Sequence, residues 1–194
     1  MLYGFLRPFV ILGFKILFRI GVQGRKYIPR KGGFILASNH ASFLDPIILG
    51  VACPRLLNFM AKHDLFGRRF LSWLISKLGA FPVRRNSADL SAIKEAINRL
   101  NNAGGLVLFP EGSRSADEKS QEVYPGIAFL ALKAGVPVVP AFIKGSSCAL
   151  PKGSRFIRPK KISVFFGEQI SMERRMPYDD FAKRVMESIR HLSC

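Results

Sequence analysis

The chain has 194 residues, enough for one domain with a proper core, and its 48% hydrophobic content excludes a disordered chain. Thirty Lys and Arg against thirteen Asp and Glu leave a net charge of +17, which points to nucleic acid, an anionic membrane face or a phosphorylated substrate. Seventeen phenylalanines, a positive mean hydropathy and the lack of a recognition-helix, zinc-finger or RNP signature argue against nucleic acid and favour a membrane surface.

The N-terminal stretch, MLYGFLRPFVILGFKILFRI, has neither the uninterrupted apolar run of a spanning helix nor a small-residue cleavage site. Wound as a helix, it gathers Arg7, Lys15 and Arg19 within roughly a third of the circumference and leaves Phe5, Phe9, Leu12, Ile16 and Ile20 on a broad apolar face. An interfacial helix over residues 1–21 is expected, ahead of a single domain over 22–194. The competing expectations are a helix packed on the protein's own core and, third, a short tilted span in an oligomer.

Apolar strand-like runs follow at Phe34–Ser38, Leu57–Ala61, Ala80–Val83, Leu106–Phe109, Val136–Ile143 and Ile162–Phe166, with helical patterns between several of them. The alternation predicts an α/β domain with a mixed, largely parallel sheet flanked by helices. Leu90, Ile93, Ile97 and Leu100 define a packing helix over Ala88–Leu100, with Ser87 as its cap. Leu65–Leu78 carries Phe66, Phe70, Trp73, Leu74 and Leu78 among Arg68, Arg69 and Lys77, and burial is the default expectation for it, membrane contact the alternative. Tyr178–Leu192, after Pro177, is expected to bury Phe181, Val185 and Ile189.

Just past the first of these strands, Asn39-His40-Ala41-Ser42-Phe43-Leu44-Asp45 sets an imidazole and a carboxylate five positions apart. Five residues subtend roughly 140° on a helix, so the backbone must turn for the two to meet, and Pro46 favours that turn. Asp45 is then the expected N-cap of a helix through Pro46–Ala52. Two readings are open at this point. The pair is a loop histidine beside a helix cap, or His40 is a general base oriented by Asp45.

After the strand Leu106–Phe109 comes Phe109-Pro110-Glu111-Gly112-Ser113-Arg114-Ser115, at the strand end where α/β folds place ligands. A guanidinium beside hydroxyls suits phosphate, and Gly112 allows close backbone approach. The polar connection Ser113–Tyr124 is read as a site loop. The cysteines Cys53, Cys148 and Cys194 are odd in number and widely spaced, so neither a disulfide framework nor a zinc site is expected and a reducing cytosolic side is. His40, His63 and His191 form no ligand spacing, so no metal is expected either.

Taken in order, Asn39-His40-x4-Asp45, Phe81-Pro82-Val83-Arg84-Arg85, Phe109–Ser115 and Val136-Pro137-Val138-Val139-Pro140 resemble the glycerolipid acyltransferase family, most of all its bacterial 1-acylglycerol-3-phosphate (lysophosphatidic acid) branch. The resemblance covers about residues 22–170. It implies that His40 removes the proton of a free glycerol hydroxyl, with Asp45 as its partner, while the hydroxyl attacks an acyl thioester directly and phosphatidic acid results. Basic residues of the middle blocks would hold the acceptor phosphate: Arg84, Arg114 and Lys62, with Arg85 a weaker candidate. Glu111 would orient Arg114 or touch the glycerol, Gly112 would shape the turn, and Ser42 and Ser113 would be hydrogen-bonding residues.

No cofactor is implied beyond the co-substrate, acyl-CoA or acyl carrier protein thioester. The implied partners are a lysophospholipid, the thioester and an anionic membrane surface at the cytoplasmic face, with acyl carrier protein a further candidate for the basic run Lys152, Arg155, Arg158, Lys160 and Lys161. The alternatives are another lysolipid acceptor, such as a lyso-aminolipid, and a non-catalytic basic membrane-binding module.

Overall fold

Phe34–Ser38 (β2) reads Phe-Ile-Leu-Ala-Ser, and all five residues are buried in a computed structural model that describes residues 2–84, 89–110, 126–151, 153–154 and 156–193, the side chains of 2–8, 10 and 71 excepted. A strand with no polar alternation must be covered on both faces. Phe34 and Leu36 enter one core with Leu44, Ile48 and Leu49, while Ile35 and Ala37 enter the other with Ala96, Ala128 and Phe181. Successive side chains of one strand therefore nucleate the two layers of the fold.

The remaining strands are Gly21–Gln23 (β1), Leu57–Lys62 (β3), Ala80–Val83 (β4), Gly105–Leu108 (β5), Val138–Lys144 (β6) and Ser163–Phe166 (β7). They form one sheet in the order β1-β7-β6-β2-β5-β3-β4. All neighbours are parallel except β6 and β7. The mixed, largely parallel α/β sheet expected from the sequence is what the chain forms. The helices are Leu2–Phe18 (α1), Asp45–Ala52 (α2), Arg69–Lys77 (α3), Leu90–Asn101 (α4), Gly126–Ala134 (α5), Ser146–Ala149 (α6) and Tyr178–His191 (α7). Residues of α1 and α2 belong to the core on one face of the sheet, and those of α4, α5 and α7 to the core on the other.

At Gly105 the strands pack too closely for a side chain. A Cβ there would fall 2.6 Å from the Phe34 ring and 2.8 Å from Leu57 Cδ2, the residues that flank it in the sheet. The glycine lets two large core side chains meet across the strand end.

Several boundaries differ from expectation. The three-residue β1 carries no periodic signal, and its pairing with β7 supplies what its sequence lacks. Helix α4 begins at Leu90, because Asp89 caps it by accepting from the Ala92 amide at 3.1 Å. Leu90 itself is exposed rather than core-facing. The segment expected as one helix over Leu65–Leu78 divides into a 3-10 turn at His63–Gly67 and α3. Within α3, Phe70 and Trp73 are exposed, against the default expectation of burial. Ser87, Arg85, Lys152 and Arg155 lie outside the described residues, as does all of 111–125.

Helix α1 divides its apolar side chains. Phe14 and Phe18 pack on the core, whereas Phe9, Leu12 and Ile16 are exposed. No described helix is long and apolar enough to cross a membrane.

Candidate active site

The carboxyl ends of β2, β5, β3 and β4 lie side by side, because these four neighbours are parallel. His40 follows β2, Phe109 follows β5, Lys62 ends β3 and Arg84 follows β4. At about 4.8 Å per strand the last two stand roughly 10 and 14 Å along the edge from His40. The carboxyl edge of such a sheet is where open α/β folds bind ligands.

The loop from β2 to α2 is held from both ends. The Asn39 side chain acts as one more peptide in the sheet: its Nδ2 donates to the Ile143 carbonyl at 3.0 Å and its Oδ1 accepts from the Ile143 amide at 2.8 Å. Buried Ser42 donates from Oγ to the Leu150 carbonyl at 3.0 Å and accepts from the Leu44 amide at 3.3 Å. Between these anchors the backbone has little freedom.

Inside that loop everything converges on one oxygen. Asp45 Oδ2 accepts from the amides of Ala41 and Ser42, both at 2.7 Å, and lies 2.9 Å from His40 Nδ1. The side chains of His40 and Asp45 are 13% and 1% exposed. A carboxylate oxygen only accepts, so the two amides and the imidazole Nδ1 are the donors around Oδ2. Nδ1 therefore carries the hydrogen and Nε2 the lone pair, so the imidazole is presented as a base.

Asp45 is not the N-cap expected from the sequence. Leu44 holds that position and Asp45 is the first helical residue, followed by Pro46. The physical reason is that helical Cα–Cβ bonds tilt toward the N-terminus, so a first-turn aspartate reaches back over the preceding loop. The carboxylate also sits where the α2 dipole favours negative charge. Oδ2 takes the amides and the imidazole together, and Oδ1 is buried with no partner among the described residues.

Phe109 completes the pair's surroundings. Its ring stacks on His40 with centroids 4.0 Å apart and planes 19° from parallel. Phe109 also lines an apolar cavity of about 370 Å³ with Met60, Ile93, Leu108, Phe129 and Leu130. The motif Phe109–Ser115 gives Phe109 no role of its own in the sequence; the signal for it is an aromatic at the end of a buried apolar run. The Leu150 carbonyl that anchors Ser42 is backbone and has no sequence signal.

The basic candidates share the edge without joining the pair. Lys62 is exposed and salt-bridged to Asp64, whose carboxyl is held below its ordinary range by the hydrogen bond and charge of Lys62. Arg84 is exposed, and its amide donates to Asp89 Oδ2 at 3.0 Å. Asp89 also accepts from the Ser91 hydroxyl and the Ala92 amide, and these bonds, led by Ser91, lower its pKa to about 2. The remaining candidates, Glu111, Gly112, Ser113 and Arg114, lie outside the described residues. Among the described residues no group of three His, Cys, Asp or Glu could hold a metal ion.

Comparison with known proteins agrees with this arrangement. The family model for acyltransferases matches residues 19–144. The 1-acyl-sn-glycerol-3-phosphate acyltransferase of Bacillus subtilis is 29% identical over 152 residues, 78% of this chain and 73% of that protein. That of Streptococcus pneumoniae is 33% identical over 179 residues, 89% of this chain and 64% of that protein. The crystal structure of the 1-acyl-sn-glycerophosphate (LPA) acyltransferase PlsC from Thermotoga maritima superposes with a TM-score of 0.83 at 29% identity, covering 98% of this chain and 78% of that one. With the matched segment running from the end of α1 through β6 and enclosing the His40–Asp45 pair, the chain belongs to the acyltransferase family.

Proposed function

We propose that the protein is a 1-acylglycerol-3-phosphate acyltransferase that acylates lysophosphatidic acid from an acyl thioester and so makes phosphatidic acid. The observation that carries this is the His40–Asp45 pair, with one lone pair left on Nε2, at a ligand-binding sheet edge. Nε2 takes the proton of the free glycerol hydroxyl as its oxygen attacks the thioester carbonyl carbon. The tetrahedral adduct collapses, the C–S bond breaks, and the departing thiolate receives the proton from the imidazolium. Asp45 stabilises that imidazolium, and Phe109 keeps the ring in place.

A thioester is already activated, so one positioned base, worth ~10²–10⁴ in rate, and the alignment of two substrates suffice. Neither a serine nucleophile nor a cofactor is needed. Neither Ser42 nor Ser113 stands in a nucleophile elbow, and Ser42 is occupied in holding the loop. In this proposal Lys62, Arg84 and Arg114 hold the acceptor phosphate, Glu111 orients Arg114 or touches the glycerol, Gly112 shapes the turn, and Ser113 supplies a hydroxyl. The apolar cavity behind Phe109 suits an acyl tail. The exposed Phe9, Leu12 and Ile16 of α1 suit an interfacial anchor at the cytoplasmic membrane face.

The test is product identification by mass with purified protein, offering lysophosphatidic acid, other lysophospholipids and a lyso-aminolipid against acyl-CoA and acyl carrier protein thioesters. Phosphatidic acid is expected from wild type and none above background from His40→Ala. Undiminished turnover in His40→Ala would sink the mechanism. Turnover confined to a lyso-aminolipid would replace the acceptor.

A further inference from the structure

Helix α3 turns one face inward, and among the described residues nothing covers the other. Leu74, Ile75 and Leu78 are half-buried, and the helix packs on β4. Phe70 and Trp73 are 76% and 49% exposed and contact each other, with centroids 6.3 Å apart and planes at 29°. Positions 70, 73 and 77 share a helical face, so Lys77 extends this aromatic pair, and Arg68 and Arg69 stand exposed at its start. The sequence of α3 contains no acidic residue, and among the described residues no ion pair engages Arg68, Arg69 or Lys77.

We propose that the Phe70–Trp73 face of α3 seats the protein on an anionic phospholipid surface. The chemistry selects the occupant. Tryptophan and phenylalanine flanked only by cations match the interfacial zone of a bilayer, with rings at headgroup level and Arg and Lys among the phosphates. Position supplies the purpose, which rests on the lipid-acylating function proposed above. Helix α3 lies between β3 and β4, at one end of the sheet. Helix α1 ends at the other: the Phe18 carbonyl accepts from the Ile162 amide beside the β1–β7 edge. Six strand spacings, roughly 29 Å, separate the two ends, and β2, which delivers His40, is the middle strand of seven. Two seats so placed hold the carboxyl edge level with headgroups, where a lysolipid hydroxyl and phosphate lie. Lys62 ends β3, and only the 3-10 turn His63–Gly67 and Arg68 separate it from α3, so the cation proposed for the acceptor phosphate lies one turn away from the seat along the chain.

Trp73 is the sole tryptophan of the 194-residue chain, so the emission of the unmodified chain reports on this face directly. The probe is vesicles of phosphatidylglycerol and phosphatidylcholine, with and without brominated acyl chains, compared with phosphatidylcholine alone. Emission should shift to the blue with the anionic vesicles and be quenched by the brominated chains, and both effects should weaken in high salt. Phe70→Ser should weaken partitioning roughly tenfold. It should leave thioester-dependent acylation of a detergent-dispersed acceptor unchanged. Unshifted, unquenched Trp73 in protein that sediments with the vesicles would overturn the seat, as would partitioning of Phe70→Ser equal to wild type. Acylation in detergent without quenching would remove the seat and keep the enzymatic proposal; quenching without acylation would do the reverse.

Discussion

The Phe109 ring lies against the His40 ring at 4.0 Å, and it does so from the residue that follows a neighbouring parallel strand rather than from the loop that carries the histidine. The stack joins the first and third sequence blocks physically. One face of the imidazole is thereby shielded, and rotation about its side-chain torsions is opposed. Phe109→Leu keeps much of the volume and removes the flat surface. With aromatic stacking worth about 0.5–1.5 kcal/mol, kcat should fall up to about tenfold with little change in Tm. Steady-state kinetics with a melting curve check this; an unchanged kcat would show that the stack does not position the base.

Asp45 serves the loop and the histidine through the same atom, so two substitutions separate the roles. Asp45→Asn keeps an oxygen for the Ala41 and Ser42 amides and removes the charge that stabilises an imidazolium; kcat should fall by ~10²–10⁴ while the fold survives. Asp45→Ala strands the buried Ser42 amide and the part-buried Ala41 amide and opens a void, and should also cost about 2–4 kcal/mol of stability. Denaturant unfolding measured beside kcat distinguishes the two variants.

Ser42 ties the catalytic loop to the end of α6. Ser42→Ala leaves the Leu150 carbonyl and the Leu44 amide without that hydroxyl and should destabilise by about 1–3 kcal/mol. If the tie also positions His40, kcat should drop and the KM for the acceptor should stay near wild type. Loss of all turnover in a fully folded variant would instead point to a nucleophilic role.

Asp89 couples Arg84 to the start of α4, and its low pKa gives the coupling a pH signature. Its folded value, about 2, lies below the ordinary value of an aspartate carboxyl. The group binds fewer protons folded than unfolded, so its stabilising contribution is present above about pH 4 and is lost as pH falls toward 2. Asp89→Ala should therefore melt below wild type at neutral pH, and the difference should shrink on acidification through that window. The variant should also raise the acceptor KM, since Arg84 loses its backbone anchor. A difference in Tm that does not change between pH 6 and pH 2 would refute the assignment.

Much of the fold was legible because it rests on local patterns. Six of the seven strands announce themselves as apolar runs, and Phe34–Ser38, buried on both faces, could be nothing but a central strand of a covered sheet. What misled was chemistry that only neighbours decide. Phe70 and Trp73 look like core residues by spacing, yet among the described residues no layer covers that face of α3. Ser87 is as good a cap by type as Asp89, and the choice falls to Asp89 because its other oxygen also bonds the Arg84 amide.

The sequence by itself determined the residue types the reaction calls for and their order: an imidazole and a carboxylate bracketing a turn, an aromatic closing a strand, cations after two other strands. Tertiary structure alone decided which of them meet. Strand β5 enters the sheet between β2 and β3 although β3 and β4 precede it in the chain, and that crossing lays Phe109 on His40 and spreads Lys62 and Arg84 along one edge. The sharing of a single Asp45 oxygen among three donors is equally a product of packing. A carboxylate denied water is held by the donors its fold can bring to it, and here these are one imidazole and two amides of its own loop.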